Sequence, residues 1–337
     1  MTNSKKENNG CLQFFVLGLL SVFSFVIIYV TASFTTTFTM LLAISGSILF
    51  LKLVLGKTTF SSLIKSGVLL YLLFYGFIYL LNSAFPTSPT FTKEEESKKT
   101  TITKNNETLV LYTSKRKWVD NYGNNFSGEL SVREKDYNRL KNQIENYNGK
   151  NNKYFWGRLY NYLEQKDTPS LDLVIDTFAK ISREKKLNQM EFAEMVVSCI
   201  QDIPYAFVLQ ATCPTSENYD KTQKVILENC PECCIGNIKY GIQNPVSFIK
   251  NLKGDCDTRT VLIYSILKHF NYDVSIVNSD FYRHSIIGLN IPSAGKYKAY
   301  KGKKYMLWET TVKNYKIGEL PPNFSNIAYW NIVLISK

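Results

Sequence analysis

The sequence predicts an α+β protein in which three N-terminal transmembrane helices precede a domain of helices followed by an antiparallel sheet. Three observations lead to this fold class. No charged residue occurs between Glu7 and Lys52, and a second apolar block covers residues 66–85. Beyond residue 109, runs at helical spacing give way to short β-branched and aromatic runs. With 45% hydrophobic residues, the chain has enough apolar side chains for a membrane part and a core.

The membrane helices are predicted from their length. A helix that crosses the hydrocarbon core needs about 20 mostly apolar residues, and residues 12–30, 37–55 and 67–85 each approach that length. Lys52 lies near the end of the second span, where its side chain can reach the interface. A cleaved signal peptide is the alternative for the first span, but that segment lacks a clear small-residue cleavage site and two more apolar segments follow. Residues 1–85 are therefore predicted to be a membrane domain.

Lysines near the spans predict which side of the membrane the domain faces. Lys5 and Lys6 precede the first span, and Lys57 and Lys65 lie around the second turn. Positively charged loops tend to stay in the cytoplasm, which predicts a cytoplasmic N-terminus and, after three crossings, an extracytoplasmic domain. Lysines just past the third span oppose this orientation. The predicted localisation is an integral membrane protein with its soluble domain outside the cytoplasm.

The net charge of +12 favours anionic partners. Nucleic acid is not predicted as a partner, because no basic helix, zinc finger or aromatic RNA-binding motif accompanies the charge. The charge instead indicates a basic surface beside anionic lipid or wall polymer, with the lipid bilayer as a partner.

Composition and periodicity divide the rest of the chain. Residues 86–108 are rich in Thr, Ser, Lys and Glu and carry two prolines, which predicts a linker. Residues 109–337 then form the soluble domain, with helices first and strands last. Helices are expected over residues 129–147, from Thr168 with Pro169, and from Asn188 with Glu191 as a capping-box-like pair. Strands are expected over residues 274–277, 285–291 and 305–310.

The candidate nucleophile lies in residues 253–260, which read Lys-Gly-Asp-Cys-Asp-Thr-Arg-Thr and lead into a helical pattern. Gly254 permits a sharp turn, so Cys256 is expected at a helix N-terminus. The unpaired amides and the macrodipole there stabilise an anion, which predicts a lowered thiol pKa and a more nucleophilic sulfur.

A thiol nucleophile needs a base, and the chain has two histidines. His269 lies near the far end of the same predicted helix, roughly 20 Å from Cys256 at 1.5 Å rise per residue. His284 opens a strand that can fold back over the helix start, so it is the candidate base. Glu309 ends the next predicted strand, and adjacent antiparallel strands can place its carboxylate beside His284 to orient the imidazole.

Each of these residues taken alone has a structural interpretation, as a buried thiol, a satisfied histidine or a surface charge. Two more motifs accompany them, Ile-Pro-Tyr at residues 203–205 and Trp-Glu-Thr at residues 308–310. With these motifs the chain resembles the transglutaminase-like cysteine proteinases over residues 192–322. The Gly-Asp-Cys-Asp helix start at residues 254–257 is the most specific part of the resemblance.

The resemblance implies a papain-like fold and a triad of Cys256, His284 and Glu309 that cleaves or transfers peptide or isopeptide bonds through a thioester, without a metal or cofactor. The implied substrates are peptide or protein amides, wall-linked amides among them. Glu309 stands where the family usually has aspartate, and Ser285 follows the histidine without the aromatic residue often found nearby in relatives. Two oxyanion donors are expected: the backbone amide of Cys256 and, as the side-chain candidate, Gln201.

Two other functions remain open at this point. A catalytically degenerate module of the same kind would bind or scaffold a partner at the membrane. Alternatively, the spans would form a transporter or channel with an accessory domain, although no intramembrane acid or base marks a pathway.

Five extramembrane cysteines besides the nucleophile need an explanation: Cys199, Cys213, Cys230, Cys233 and Cys234. Disulfides are expected if the domain lies outside the cytoplasm. Zinc is the alternative inside it, although no nearby histidine completes a familiar ligand pattern. An odd number leaves one thiol over, unless it pairs with the nucleophile and silences it.

Overall fold

A five-stranded antiparallel sheet with a long helix packed against one face lies at the centre of the described structure. The computed structural model describes residues 97–104, 107–149 and 152–337, which all fall within one compact unit of the chain, residues 89–337.

The helices of the described residues are α1 Glu134–Glu145, α2 Phe155–Asp167, α3 Asp172–Lys185, α4 Gln189–Gln201, α5 Lys221–Leu227, α6 Pro245–Asn251 and α7 Cys256–His269. The strands are β1 Lys98–Lys104, β2 Glu107–Val119, β3 Asn125–Arg133, β4 Phe207–Val208, β5 Cys234–Ile235, β6 Val274–Ser279, β7 His284–Leu289, β8 Tyr297–Tyr300, β9 Lys303–Trp308 and β10 Asn331–Ile335.

Side-chain caps determine where two of the helices begin. At α4, the Asn188 side chain accepts the Glu191 N–H at 3.0 Å, and the Glu191 carboxylate accepts the Asn188 N–H at 2.8 Å. This is the reciprocal capping box that the sequence predicts. At α7, the Asp255 carboxylate accepts the Thr258 N–H at 3.1 Å. Cys256 is therefore the first residue of α7.

The five-stranded sheet has the order β10-β6-β7-β9-β8, and all neighbouring strands are antiparallel. Side chains alternate between its two faces. Ile287 and Trp308 belong to the main core, where α7 packs, whereas Ile286 and Leu307 belong to a smaller core on the other face. This alternation determines which polar side chains at the strand ends can meet.

A second sheet, β1-β2-β3, was largely missed by sequence reasoning. Residues 98–104, which composition assigns to the linker, form β1, and β3 takes the start of the helix predicted over residues 129–147. The strands are joined by a full antiparallel ladder and by cross-strand contacts such as the 2.9 Å hydrogen bond between the Thr113 and Ser131 hydroxyls. Such pairing stabilises a strand whose local composition does not predict one.

The membrane part of the predicted fold class needs correction. No helix of the described residues has the length and apolar character to cross a membrane: the longest, α3 and α7, have 14 residues each, against the roughly 20 that a span requires. The three predicted spans fall within residues 1–85 and lie outside the described residues. The described structure is a mixed α+β domain, which corrects the predicted transmembrane fold class and membrane localisation.

Candidate active site

Strand register brings the predicted base and acid together. Because Ile287 pairs with Trp308, Glu309 lies one residue further on, opposite Ile286. His284 shares that face of the sheet, since it lies two residues before Ile286 on β7. Its Nε2 atom is 2.9 Å from Oε2 and 3.3 Å from Oε1 of the Glu309 carboxylate.

The Glu309 carboxylate is fully buried and held by several donors. Its Oε1 atom accepts the Thr310 N–H at 2.9 Å, the Thr311 N–H at 2.7 Å and the Thr311 hydroxyl at 2.6 Å. Burial alone would raise the pKa of Glu309, but the charge of His284 and the hydrogen bonds from His284 and Thr311 outweigh it and lower the pKa to about 2. The acid of the site is therefore ionised.

The imidazole of His284 is only 9% exposed. Burial lowers its pKa, but the charge and hydrogen bond of Glu309, with the aspartates on either side of Cys256, outweigh burial and raise the pKa above 6.5. Because Nε2 faces the glutamate, Nδ1 is the ring nitrogen left to exchange a proton.

The Cys256 thiol is buried, with the residue 7% exposed, and it does not have the electrostatics predicted for it. Burial and the charges of Asp257 and Asp255 raise its pKa well above 9.0, although the Ser285 N–H acts in the opposite direction. The predicted lowering of the thiol pKa is wrong because it counted the helix dipole and left out burial and the flanking aspartates. At rest the sulfur is therefore a neutral thiol.

The Cys256 thiol contacts the strand of His284 at the residue that follows the histidine. The Ser285 backbone N–H, one residue after His284, interacts with the Cys256 sulfur. Among the described residues, no hydrogen bond joins the sulfur directly to the imidazole. The same carboxylates, Asp255, Asp257 and Glu309, act on the pKa values of both groups, so the two share one electrostatic environment.

A polar chain attached to the nucleophile helix was missed by sequence reasoning. The Tyr160 hydroxyl donates to Asp257 Oδ1 at 2.6 Å, and Asn278 Nδ2 donates to the Tyr160 oxygen at 2.8 Å. Burial and the charge of Asp257 raise the pKa of Tyr160 well above 10, so the hydroxyl stays a donor. The partners are 97 and 118 residues apart in the chain, and no local pattern predicts such pairs.

Two aromatic rings pack against the imidazole. Phe324 stacks on His284 with ring centroids 4.8 Å apart and planes at 26°, and Trp330 meets it at 6.0 Å and 64°. Both rings come from the segment between β9 and β10, to which the sequence patterns assign no role. The density of aromatic residues between 324 and 330 is the one signal that points to it.

Gln201, the predicted oxyanion donor, is directed elsewhere. Its Nε2 donates to the backbone oxygen of Glu309 at 2.7 Å and to that of Tyr315 at 3.4 Å. It holds the strand end that carries the acid, so its role as an oxyanion donor is not carried forward. The backbone N–H of Cys256, in the first turn of α7, is the remaining candidate donor.

Arg259 fastens the start of the nucleophile helix. Its fully buried guanidinium donates to the backbone oxygens of Gly254 at 3.0 Å, Ile200 at 2.6 Å and Ile203 at 2.6 Å. These carbonyls lie in the turn before Cys256 and at the end of α4, whose last carbonyls lack helical partners. The arginine therefore joins the end of one helix to the start of another.

The structure resolves the cysteine pairing. Cys213 bonds to Cys234 and Cys230 bonds to Cys233, while Cys199 is buried in α4 and, like the nucleophile, is outside any disulfide. Four of the five candidates thus form bridges, which removes their thiolates as zinc ligands and indicates an oxidising environment. Within the described part of the chain, no group of three or more His, Cys, Asp or Glu residues is placed to hold a metal ion.

Comparison with protein-family models found no matching family, and comparisons with curated proteins and with solved structures found no match. The resemblance to the transglutaminase-like cysteine proteinases therefore stays a prediction. Function is therefore inferred from the geometry of the site.

Proposed function

We propose that this domain is a thiol enzyme that cleaves or transfers amide bonds of peptide or protein substrates, with Cys256 as nucleophile, His284 as base and Glu309 as the orienting acid. The observation that carries the proposal is the buried 2.9 Å contact between imidazole and carboxylate at the strand end next to the first residue of α7. A buried, ionised carboxylate aimed at one ring nitrogen leaves the other ring nitrogen free for proton transfer.

The neutral thiol determines how the reaction begins. Because the thiol pKa is raised, a standing thiolate is a minor form, and the proton must move to Nδ1 of His284 as the sulfur attacks the amide carbonyl. The imidazolium that forms is stabilised by the Glu309 carboxylate at its Nε2. Proton uptake and attack are thereby coupled.

The remaining steps use the same groups. The carbonyl oxygen becomes an oxyanion, for which the Cys256 N–H at the helix start is a donor. As the carbon–nitrogen bond breaks, His284 returns its proton to the leaving amine, and a thioester remains on the sulfur. Water or a second amine, deprotonated by His284, then attacks the thioester and releases the thiol. Hydrolysis and transamidation differ only in this last nucleophile.

A second candidate, a degenerate module that binds a partner without catalysis, is favoured by three features of the same site. Cys256 is 7% exposed, its thiol pKa is raised, and within the described residues it makes no hydrogen bond to His284. In a binding module, the polar contacts around the thiol would serve only to stabilise the fold.

Alkylation of Cys256 by iodoacetamide separates the two candidates. The full-length chain is treated at pH 7.5, and the modified cysteine is identified by peptide mapping, with Cys199 as the internal reference because it too is buried and outside a disulfide. For an enzyme, we expect the alkylation rate of Cys256 to depend on the base, so that His284→Ala slows it by about tenfold or more.

The matched control is His269→Ala, which removes the other histidine and is expected to leave the rate unchanged. A rate of Cys256 alkylation that is independent of His284 would favour the binding module.

A further inference from the structure

Two exposed aromatic side chains of the described residues stack on each other beside the candidate base. Phe281 is 66% exposed and Tyr329 is 42% exposed. Folded proteins rarely gather exposed apolar groups into one patch without a binding role. Phe281 lies three residues before His284, and Tyr329 directly precedes Trp330, which packs on the imidazole.

Ring contacts run without a break from this patch to the imidazole. Phe281 and Tyr329 stack with centroids 4.1 Å apart and planes at 15°. Tyr282 touches both rings, at 5.1 Å and 5.7 Å, and contacts Phe324 at 5.4 Å. Phe324 in turn stacks on His284. A group resting on the outer pair would therefore lie on the same ring cluster that packs against the base.

Backbone contacts hold this ring cluster in place. The Ser279 hydroxyl accepts the Tyr282 N–H at 3.1 Å, and Trp330 Nε1 donates to the Phe324 oxygen at 2.9 Å. From β8 and its N-terminal flank, Lys296 and Lys298 donate to the backbone oxygens of residues 325 and 327, at 2.8 Å and 3.1 Å. A surface held in this way loses little conformational freedom when a ligand binds.

The stacked pair does not hide its own surface. A satellite core that served only to cap the histidine would turn its rings inward, as Phe324 and Trp330 do. Phe281 instead keeps two thirds of its surface in solvent, although it stacks on Tyr329. Covering the histidine therefore does not account for the exposed pair of Phe281 and Tyr329.

The exposed ring faces of Phe281 and Tyr329 decide the chemistry of the occupant. Aromatic and branched aliphatic side chains suit the exposed ring faces, because they gain by leaving water and by packing on a ring.

The geometry points to the stacked rings of Phe281 and Tyr329 as a subsite for an apolar side chain that flanks the reactive amide of a peptide substrate. This inference rests on the proposed function, since it names the substrate class of the same site. It assigns specificity to the turn before β7 and to the segment before β10.

Two peptidyl chloromethyl ketones test the subsite on the full-length chain. They differ in one residue beside the ketone, phenylalanine in one and glutamate in the other. In each, the Cys256 sulfur displaces chloride, forming a carbon–sulfur bond as the carbon–chlorine bond breaks and the thiol proton passes to His284. The second-order rate of thiol loss is followed by intact-mass spectrometry, and iodoacetamide measures the reactivity of the thiol without a subsite.

We expect the phenylalanine reagent to react about tenfold faster than the glutamate reagent, a ratio typical of one good aromatic contact. The double variant Phe281→Ser, Tyr329→Ser should bring the ratio close to one, and its iodoacetamide rate shows whether the thiol itself has changed. Phe281→Leu with Tyr329→Leu, which stays apolar, should keep most of the preference. Tyr154→Ser is the matched control, because Tyr154 is 61% exposed and lies outside the ring cluster.

A serine double variant that keeps the tenfold preference while alkylation of Cys256 by iodoacetamide still depends on His284 overturns the subsite and leaves the proposed function standing. An iodoacetamide rate that His284→Ala leaves unchanged overturns the proposed function, and the subsite with it.

Discussion

Glu309→Gln removes one negative charge from the buried carboxylate that faces the candidate base while keeping the size of the side chain. Three donors converge on Oε1, two of them from Thr311, so the oxygen of the new amide must take that place. The amide nitrogen then faces His284 Nε2, where the carboxylate oxygen stood at 2.9 Å. An N–H donor at this position requires an unprotonated Nε2 and therefore moves the ring proton to Nδ1.

This tautomer cannot accept the thiol proton at Nδ1. A base locked in the wrong tautomer loses on the order of 10³–10⁴ in rate, so we expect amide-bond turnover to fall by that factor in Glu309→Gln. The pH dependence changes as well. With Glu309 present the pKa of His284 is raised above 6.5. The unprotonated imidazole is the base, so the rate rises with pH over a range above 6.5. Loss of the carboxylate lowers that pKa and moves that range to lower pH.

The same substitution has an effect on stability. A pKa of about 2 in the folded protein, against 4.5 for an ordinary glutamate, corresponds to about 3 kcal/mol of folding free energy. Because the folded-state pKa of Glu309 is depressed, this stabilisation is present above pH 4.5 and is lost as the pH falls towards 2. Glu309→Gln should therefore be less stable than wild type at pH 7, with the difference narrowing at pH 3.

Two assays check these expectations. The rate of Cys256 alkylation by iodoacetamide, measured from pH 5 to 9, shows the pH at which His284 loses its proton. Urea denaturation at pH 7 and pH 3 measures the stability difference. Glu309→Asp is the control, since it keeps the charge and shortens the reach. An alkylation profile of Glu309→Gln that superimposes on the wild-type profile would refute the orienting role of the glutamate.

Four further changes test other parts of the structure. Gly288→Ala should destabilise the domain by about 2 kcal/mol, because an added Cβ meets side chains of both neighbouring strands; an unchanged urea midpoint contradicts this. Arg259→Lys should lower the free energy of unfolding by about 2–3 kcal/mol, since one ammonium cannot replace the three guanidinium hydrogen bonds to Gly254, Ile200 and Ile203. Asp257→Asn should speed alkylation of the nucleophile several-fold at pH 8, because it removes a charge that raises the thiol pKa; an equal rate argues against this effect. Replacing Cys213 and Cys234 with serine should lower unfolding free energy by about 3 kcal/mol, and an unchanged thermal midpoint contradicts it.

The pairing of His284 with Glu309 could be predicted because these residues lie at the ends of two predicted strands that pair in the sheet, although β8, which lies between those strands in the chain, was not predicted. The helix start at Cys256 could be predicted because Gly254 and the helical spacing after it mark the start locally, whereas the Asp255 cap is seen only in the structure. The contacts of Tyr160 and Phe324 could not, because their partners lie far away in the chain and are selected by packing. The contacts of Gln201 could not be predicted either, because its partners are backbone oxygens far along the chain.

The sign of the thiol pKa shift was unpredictable for a related reason. A sequence places Cys256 at a helix start, but only the packed structure shows that Asp255 is buried and Asp257 half-buried beside it. Burial and like charge then outweigh the helix dipole. The sheet β1-β2-β3 was missed for a similar reason, since long-range strand pairing offsets a polar composition.

A buried thiol of raised pKa has a consequence for the two disulfides upstream. Thiol–disulfide exchange proceeds through a thiolate that reaches a bridging sulfur, so a protonated and covered thiol is a slow attacker. The Cys256 sulfur can therefore coexist with the Cys213–Cys234 bridge in an oxidising compartment without reshuffling it. A thiol that stays protonated until His284 accepts its proton would exchange slowly with disulfides and still attack a bound amide.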